Sequence, residues 1–423
     1  MVNIKNKINY SFKIFDKIFL CFLFMQPILD VIAGVMIHYN YGFTLSSLIR
    51  FIFMFLCIIY LIFYIKNKKI NIYLLSILIY FIIYMVTILI YKGTPAISYE
   101  FKNLISTYYF VFILITLLQL YKSKKFKIKN LIILYVIYML LVFIPNILDI
   151  GFKSYYESKE GCIGWFNSAN VVGSILSILL PIVIIYIKKF KIWLIPLIII
   201  NLYVIFSIGT KVPVLAFILV IGINILYFIV KLIKEKKNKI VAFIMIPFVI
   251  IIAFSIIIFP KTTFYKNIVI HLNYLEKKDN GNITTWHIID HFVFSQRLSF
   301  EEKTRKSYNN SHLLEKIFGI GYIENYSTDK LRLKTVEIDY FDIFYRHGVL
   351  GFIIFFLPIV YVLKDIIKNK NKNKIDKYKL NIILCIALIF ILALFQGHIL
   401  VTPSNSIYVA LILSLEKNKK IKD

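Results

Sequence analysis

Residues 336–352 read VEIDYFDIFYRHGVLGF, and this stretch sets Glu337, Asp339, Asp342, Arg346 and His347 directly against an apolar run that continues to Val362. At about 1.5 Å of rise per residue, a helix of some 20 residues crosses the hydrocarbon core of a bilayer. Runs of that length recur along the chain, near 17–38, 43–65, 70–91, 102–121, 131–150, 165–187, 192–208, 212–230, 240–259, 341–363, 380–396 and 399–415. The 423 residues are 60% hydrophobic and 17% aromatic, with a mean hydropathy of +0.78. The expected fold is an all-α polytopic membrane protein of about twelve transmembrane helices. Charges at the mouth of a span are costly and are kept where they pair or serve a function, so the five polar residues of the opening stretch call for an account.

The net charge of +28 does not point to nucleic acid, because its distribution follows the spans. With a cytoplasmic N-terminus, 31 of the 50 Lys and Arg fall on the inner side, in runs such as KSKKFKIK and KNKNKNKIDKYK. Only six acids, Asp16, Glu235, Asp365, Asp376, Glu416 and Asp423, share that side. This asymmetry is the one the positive-inside rule describes, and it places both termini in the cytoplasm. The first apolar run follows Lys17 without a small-residue cleavage site and reads as a span, not a signal peptide. Cys21, Cys57 and Cys385 lie within spans and Cys162 outside them, with no spacing for zinc or redox work and no internal disulfide expected. The preference for Lys, Ile and Asn over Arg, Ala and Gly is that of an AT-rich bacterial coding sequence, which puts the chain in a bacterial plasma membrane.

Three regions follow: spans one to nine over 1–259, an extracytoplasmic loop over 260–340, and spans ten to twelve with a basic tail over 341–423. A connection of that length is functional or disordered. Here SYNNSHLLEKIFGIGY carries a helical pattern (Leu313, Leu314, Ile317, Phe318) halted by Gly319 and Gly321, so the loop is expected to form a cap of short helices on the outer face.

Residue types sort by side more sharply than charge requires. All five arginines (Arg50, Arg297, Arg305, Arg332, Arg346) and all seven histidines lie on the outer side, whereas every inner basic residue is Lys. Lys suffices as a point charge, and Arg is favoured where a planar fork must grip a carboxylate or phosphate. Asp30 and Arg50 sit at matching depth in spans one and two. They read either as a buried ion pair that fixes register or as a cavity in which Arg50 holds an anionic head group. Asn167 and Asn170 share one helical face at the start of span six, and Asn167 also suits a helix cap. Lys211 is the single charge in the turn FSIGTKVPVLAF between spans seven and eight.

The spans, the outer loop, GWFNSANVVG opening span six, GTKVP before span eight, FGIGY in the loop and EIDYFDIFYRHGVLG entering span ten together resemble the O-antigen ligase and polymerase superfamily, in particular its Gram-positive O-antigen-ligase-like branch. The resemblance implies a glycosyltransferase that moves a sugar chain from undecaprenyl diphosphate onto an acceptor glycan or anchor hydroxyl at the outer membrane face. It implies no metal, nucleotide or other cofactor, and membrane lipid as surroundings. This chain differs in carrying Lys211 where the superfamily often has Arg, and Glu337 and Asp339 where many members have an HN pair.

Breaking the bond from anomeric carbon to diphosphate requires cations for the leaving group and an acceptor for the hydroxyl proton. Lys211, Arg297, Arg332 and Arg50 are the candidate diphosphate ligands. Glu337 and Asp339 are the candidate bases, with His291 in WHIIDHFVFSQRL as the alternative. Asp342 and Arg346, at ion-pair spacing, are expected to brace the helix entrance, with Asn167 and Asn170 supporting, and His347 is expected at the membrane interface. Glu337 and Asp339 have no evident local partner. His287 and His291 share a helical face, but no third ligand follows and no metal is expected. Polymerisation of lipid-linked repeat units is the leading reading, and ligation of a finished glycan to an anchor is the alternative. A flippase would place polar groups near the midplane on repeated, broken helices, whereas this chain gathers them in the outer third. A noncatalytic scaffold predicts that Lys211, Arg297 and Glu337 are all replaceable.

Overall fold

A computed structural model of the chain describes residues 2–41, 44–65, 67–120, 127–154, 161–186, 194–236, 257, 259–278, 285–323, 335–370 and 376–416. Among them the fold is helical, and the β-type pairing consists of an isolated bridge between Lys153 and Cys162. The helices are α1 (Val2–His38), α2 (Leu45–Tyr60, prolonged by a π turn, Leu61–Ile65), α3 (Lys68–Lys92), α4 (Ala96–Leu120), α5 (Ile128–Ile147), α6 (Ala169–Tyr186), α7 (Leu194–Ile208), α8 (Lys211–Lys234), α9 (Thr263–Lys278), α10 (Thr285–Ile288, prolonged by a π turn, Ile289–Val293), α11 (Arg297–Asn310), α12 (Leu313–Phe318), α13 (Asp339–Lys370), α14 (Lys377–Phe395) and α15 (Pro403–Glu416). Eight are long and apolar enough to cross a membrane: α1, α2, α3, α4, α5, α8, α13 and α14. The apolar parts of α6, α7 and α15 are shorter. Helices thus occupy eleven of the twelve expected span positions, and the ninth, 240–259, lies almost wholly outside the described residues.

Local sequence sets several of the boundaries. Asn67 caps α3 by accepting the Lys69 amide at 3.0 Å, and Asp376 caps α14 by accepting that of Lys379 at 2.8 Å. Gly93, at φ 79°, stops α3 with a left-handed conformation that side chains rarely adopt.

Two compact units divide the chain. One comprises Met1–Asn130, Thr284–Ile382 and Ile389–Asp423, and the other Leu131–Ile283 with Ile383–Leu388. In the first, α4 is the axis, packing on α2, α3, α13 and α15. Some 78% of its most apolar stretch is buried, against 33% in α2 and in α3. In the second, α6, α7 and α8 pack mutually and α9 lies on α7. The expected loop 260–340 is therefore shared between the units, α9 belonging to one and α10, α11 and α12 to the other.

The tenth span departs from the continuous helix that its sequence suggests. At Gly348 (φ 68°, ψ −178°) α13 breaks, and a break in a helix interrupts its i to i+4 hydrogen bonds and leaves carbonyls of the preceding turn to other donors. The loop after α12 takes up two of them: Ile320 N donates to Tyr345 O at 3.1 Å and Gly321 N to Arg346 O at 3.2 Å. Tyr80 of α3 donates to His347 O at 2.9 Å and Tyr108 of α4 to Gly351 O at 2.9 Å. At membrane depth a broken helix persists when neighbouring groups satisfy the freed backbone, and FGIGY together with the tyrosines does so. Within α12, Leu313 and Leu314 are exposed, so the helical pattern that predicts this helix does not turn them into a core.

Candidate active site

Four carboxylates organise the loops of the first unit, each by accepting hydrogen bonds from more than one backbone or hydroxyl donor. Glu100 of α4 takes the Tyr322 and Ile323 amides at 2.6 and 2.9 Å, together with the Tyr84 hydroxyl at 2.8 Å. Asp290 takes the Leu298 amide at 2.9 Å and the Ser299 hydroxyl. Asp342 takes the amides of Val336 (2.9 Å) and Glu337 (2.8 Å). Asp339 takes those of His398 (2.6 Å), Ile399 (2.9 Å) and Leu400 (2.7 Å). A buried carboxylate with two or three charge-assisted bonds holds a loop far more firmly than apolar contact alone. Asp339 and Asp342 stand in the first turn of α13, where the helix dipole also favours negative charge.

Glu337 and Asp339, for which the sequence shows no local partner, find distant ones. Asp339 is fully buried and saturated by amides from a segment some 60 residues away, a pairing that local spacing does not reveal. Glu337 accepts from Arg297 Nη2 at 3.0 Å, and its other oxygen lies 4.0 Å from His398 Nε2. Arg297 is buried, and its Nη1 donates to Phe294 O at 3.2 Å and Phe395 O at 3.1 Å. Within this otherwise buried group, the side chains of Glu337 and His398 are 28% and 32% exposed, so they are the parts that solvent reaches.

Electrostatics couples the two. Burial pushes the Glu337 carboxyl up, but the His398 imidazole and the Arg297 guanidinium outweigh it and hold the group at about 2. Burial pushes the His398 imidazole down, but Glu337, Asp339 and Asp342 outweigh it and leave the ring above its ordinary 6.5.

The other expected residues are placed as follows. Asp342 and Arg346 lie 3.8 Å apart, and Arg346 is wholly buried, with Nη1 on Gly321 O at 3.1 Å and its guanidinium 5.5 Å from the centre of the Tyr322 ring. His291 is buried and accepts from Gln296 Nε2 at Nδ1, 3.1 Å away. Arg50 pairs with Asp30 and donates from Nε to Gln26 at 3.0 Å, while Ser404 donates to Asp30 at 2.7 Å, so this cation ties α1, α2 and the first turn of α15. Arg332 lies outside the described residues. His347 is corrected from an interfacial position to a fully buried one, with its ring centroid 5.6 Å from those of Tyr84 and Tyr108 and 5.8 Å from that of Tyr322.

Lys211 opens α8 and is half-exposed, Asn170 is half-buried in the first turn of α6, and Asn167 is exposed just before it. The GTKVP turn is held by Asn267, which donates to Gly209 O at 3.0 Å, and by close packing of Pro213 on Gly173. In the same unit a cavity of about 780 Å³ opens among Asn146, Asp149, Lys153, Tyr203, Lys261 and Thr262.

Sequence reasoning missed His398 and Glu100. His398 lies in FQGHILVTPS between two spans, and its only local signal is the preceding glycine. Its partner Glu337 is 61 residues earlier, so no periodicity connects them.

A family model described as O-antigen ligase like membrane protein matches residues 12–283 and 284–416. No curated protein and no solved structure matches the chain. With nearly its whole length matched, its apolar helices and its charged group at the entrance of α13, the chain belongs to the O-antigen ligase like membrane proteins, multi-pass proteins of the bacterial membrane whose family acts in glycan transfer.

Proposed function

We propose that this protein is a polysaccharide polymerase that joins undecaprenyl-diphosphate-linked repeat units at the outer membrane face, with both termini in the cytoplasm. The observation that carries the reading is the Arg297–Glu337–His398 group. It offers a half-exposed carboxylate and a half-exposed imidazole in a setting otherwise closed to water. Transfer from a lipid diphosphate needs a proton acceptor beside the incoming hydroxyl and cations beside the leaving group, and acid–base side chains at a membrane entrance meet the first need. For the second, the sequence offers Lys211 as a cation, and it is the first residue of a 24-residue helix whose N-terminal N–H groups also favour an anion. Arg332 is the further candidate diphosphate ligand from the sequence, whereas Arg50 and Arg297 are engaged in holding Asp30 and Glu337. Of the two candidate acids, partial exposure favours a part in the reaction for Glu337 over Asp339, which is enclosed and already bonded to three amides.

The test is the size distribution of surface glycan and of lipid-linked glycan in a strain lacking the protein. Loss of long chains with single lipid-linked repeats accumulating is expected. Full-length chains retained on the lipid carrier would replace polymerisation by ligation to an anchor, and unchanged profiles in both pools would sink the glycosyltransferase reading.

A further inference from the structure

Of the five described residues of the first unit other than glycine that hold left-handed backbone conformations, Glu337 and His398 face one another. Glu337 has φ 62° and His398 φ 60°, and their side chains approach to 4.0 Å. Such conformations are uncommon outside glycine, and they persist only where the surroundings over-determine them. Here they do. Asp342 fastens the amide of Glu337 and the one before it, and Asp339 fastens the amide of His398 and the two after it. Asn405 donates to His398 O at 2.8 Å, and Gly397 lies so close to Glu337 that a Cβ there would overlap the Glu337 carbonyl. Two buried acids from one helical turn thus set one partly exposed carboxylate against one partly exposed imidazole.

The carboxylate is itself oriented. Arg297 holds Oε2, which leaves Oε1 turned toward His398 Nε2. The ring is thereby set with Nε2–H toward Glu337, and among the described residues Nδ1 makes no hydrogen bond. A packing role alone would not require a half-exposed ring with one nitrogen engaged by a fixed anion and the other left open.

We propose that His398 is the catalytic base of the glycan transfer, accepting the proton of the attacking hydroxyl at Nδ1, and that Glu337 is a positioning residue that orients the ring and stabilises the imidazolium. The inference rests on the proposed function and deepens it. In the step, the acceptor oxygen forms a bond to the anomeric carbon and the bond from that carbon to the diphosphate oxygen breaks. The electron pair leaves with undecaprenyl diphosphate, the hydroxyl proton moves to His398, and the imidazolium later returns it to water. Glu337 is thereby reassigned from the base suggested by its place in the sequence to the partner of a base in a different inter-span turn. A carboxyl held at about 2 is a weak proton acceptor, whereas an imidazole faced by Glu337, Asp339 and Asp342, with Arg297 bound to the first, is a stronger one than free histidine.

His398→Asn is the informative variant, because Asn tolerates the left-handed backbone and the fold is preserved. Full-length protein in lipid vesicles is supplied with the lipid-linked oligosaccharide extracted from the deletion strain, and polymer formation is followed against pH. His398→Asn is expected to lose about 10²- to 10⁴-fold in rate while full-length folded protein is still recovered in the membrane. In the wild type the rate rises as pH climbs through the raised histidine value. In Glu337→Gln that acid limb moves to lower pH, since the anion favouring the imidazolium is gone, and the maximum falls. Wild-type rates in His398→Asn would overturn the proposal, as would an unmoved acid limb in Glu337→Gln. A deletion strain with normal glycan would instead overturn the function itself, so the two failures are separable.

Discussion

Arg50 and Arg297 are both buried guanidiniums read from the sequence as diphosphate ligands, and each is held by a carboxylate and by neutral acceptors. The sequence expresses that such residues stand on the outer side, but not which acid each one meets. Arg50→Lys keeps the charge yet cannot span Asp30 and Gln26 together. It is expected to lower thermal stability in detergent by roughly 1–3 kcal/mol. Asp339→Asn leaves three amides facing a neutral amide side chain, and charge-assisted bonds of about 1.5–3 kcal/mol each are weakened. A loss of several degrees in Tm is expected, with little folded protein recovered at 37 °C. The Glu337–His398 pair has its own pH signature. Glu337, held low, contributes stability that is present above its ordinary 4.5 and is lost as pH falls through about 2. His398, held high, contributes stability that is complete below 6.5 and is lost as pH rises through its raised value. The pair therefore stabilises fully between about 4.5 and 6.5. Comparing Tm with that of Glu337→Gln across pH should show the largest gap there and a shrinking one at alkaline pH.

Among the elements, α13 differs most from its sequence expectation. Acids in its first turn and an apolar run after them are legible, but the break at Gly348 is not, since glycine is tolerated inside membrane helices. The break depends on Tyr80, Ile320 and Gly321 being present to donate to the freed carbonyls. Glycine substitutions separate the two situations. Gly348→Ala adds a Cβ at φ 68° that overlaps the Ile317 carbonyl, and Gly319→Ala adds one at φ 117° against the Arg346 carbonyl. Both are expected to destabilise by well over 1 kcal/mol and to reduce membrane-integrated protein. Gly222→Ala, in α8, meets no atom within 4 Å, and replacing a mid-helix glycine there should stabilise by about 0.5–1 kcal/mol. Equal behaviour of the three variants in thermal unfolding would contradict the account of the break.

For the whole molecule, charge asymmetry predicts which ends of the helices face outward, and Cys162 reports on it. It is half-buried in the connection between α5 and α6, on the expected outer side, whereas Cys57 and Cys385 are buried. In a chain with Cys21, Cys57 and Cys385 replaced by Ser, a membrane-impermeant maleimide should label Cys162 in intact cells. Burial raises that thiol above its ordinary value, so labelling should be slow at neutral pH and quicken as pH rises. Labelling that requires permeabilised cells would reverse the topology. Helical class, membrane location and the positions of eleven apolar helices were determined by the sequence alone, because burial in lipid demands long apolar runs with internally satisfied backbones, and these are local properties. The tertiary structure alone decided that Asp339 holds the loop bearing His398, that Arg297 aims Glu337, and that FGIGY seals a broken span. Each of these joins residues tens of positions apart, and the energy of a buried charge depends on which partner the fold delivers to it.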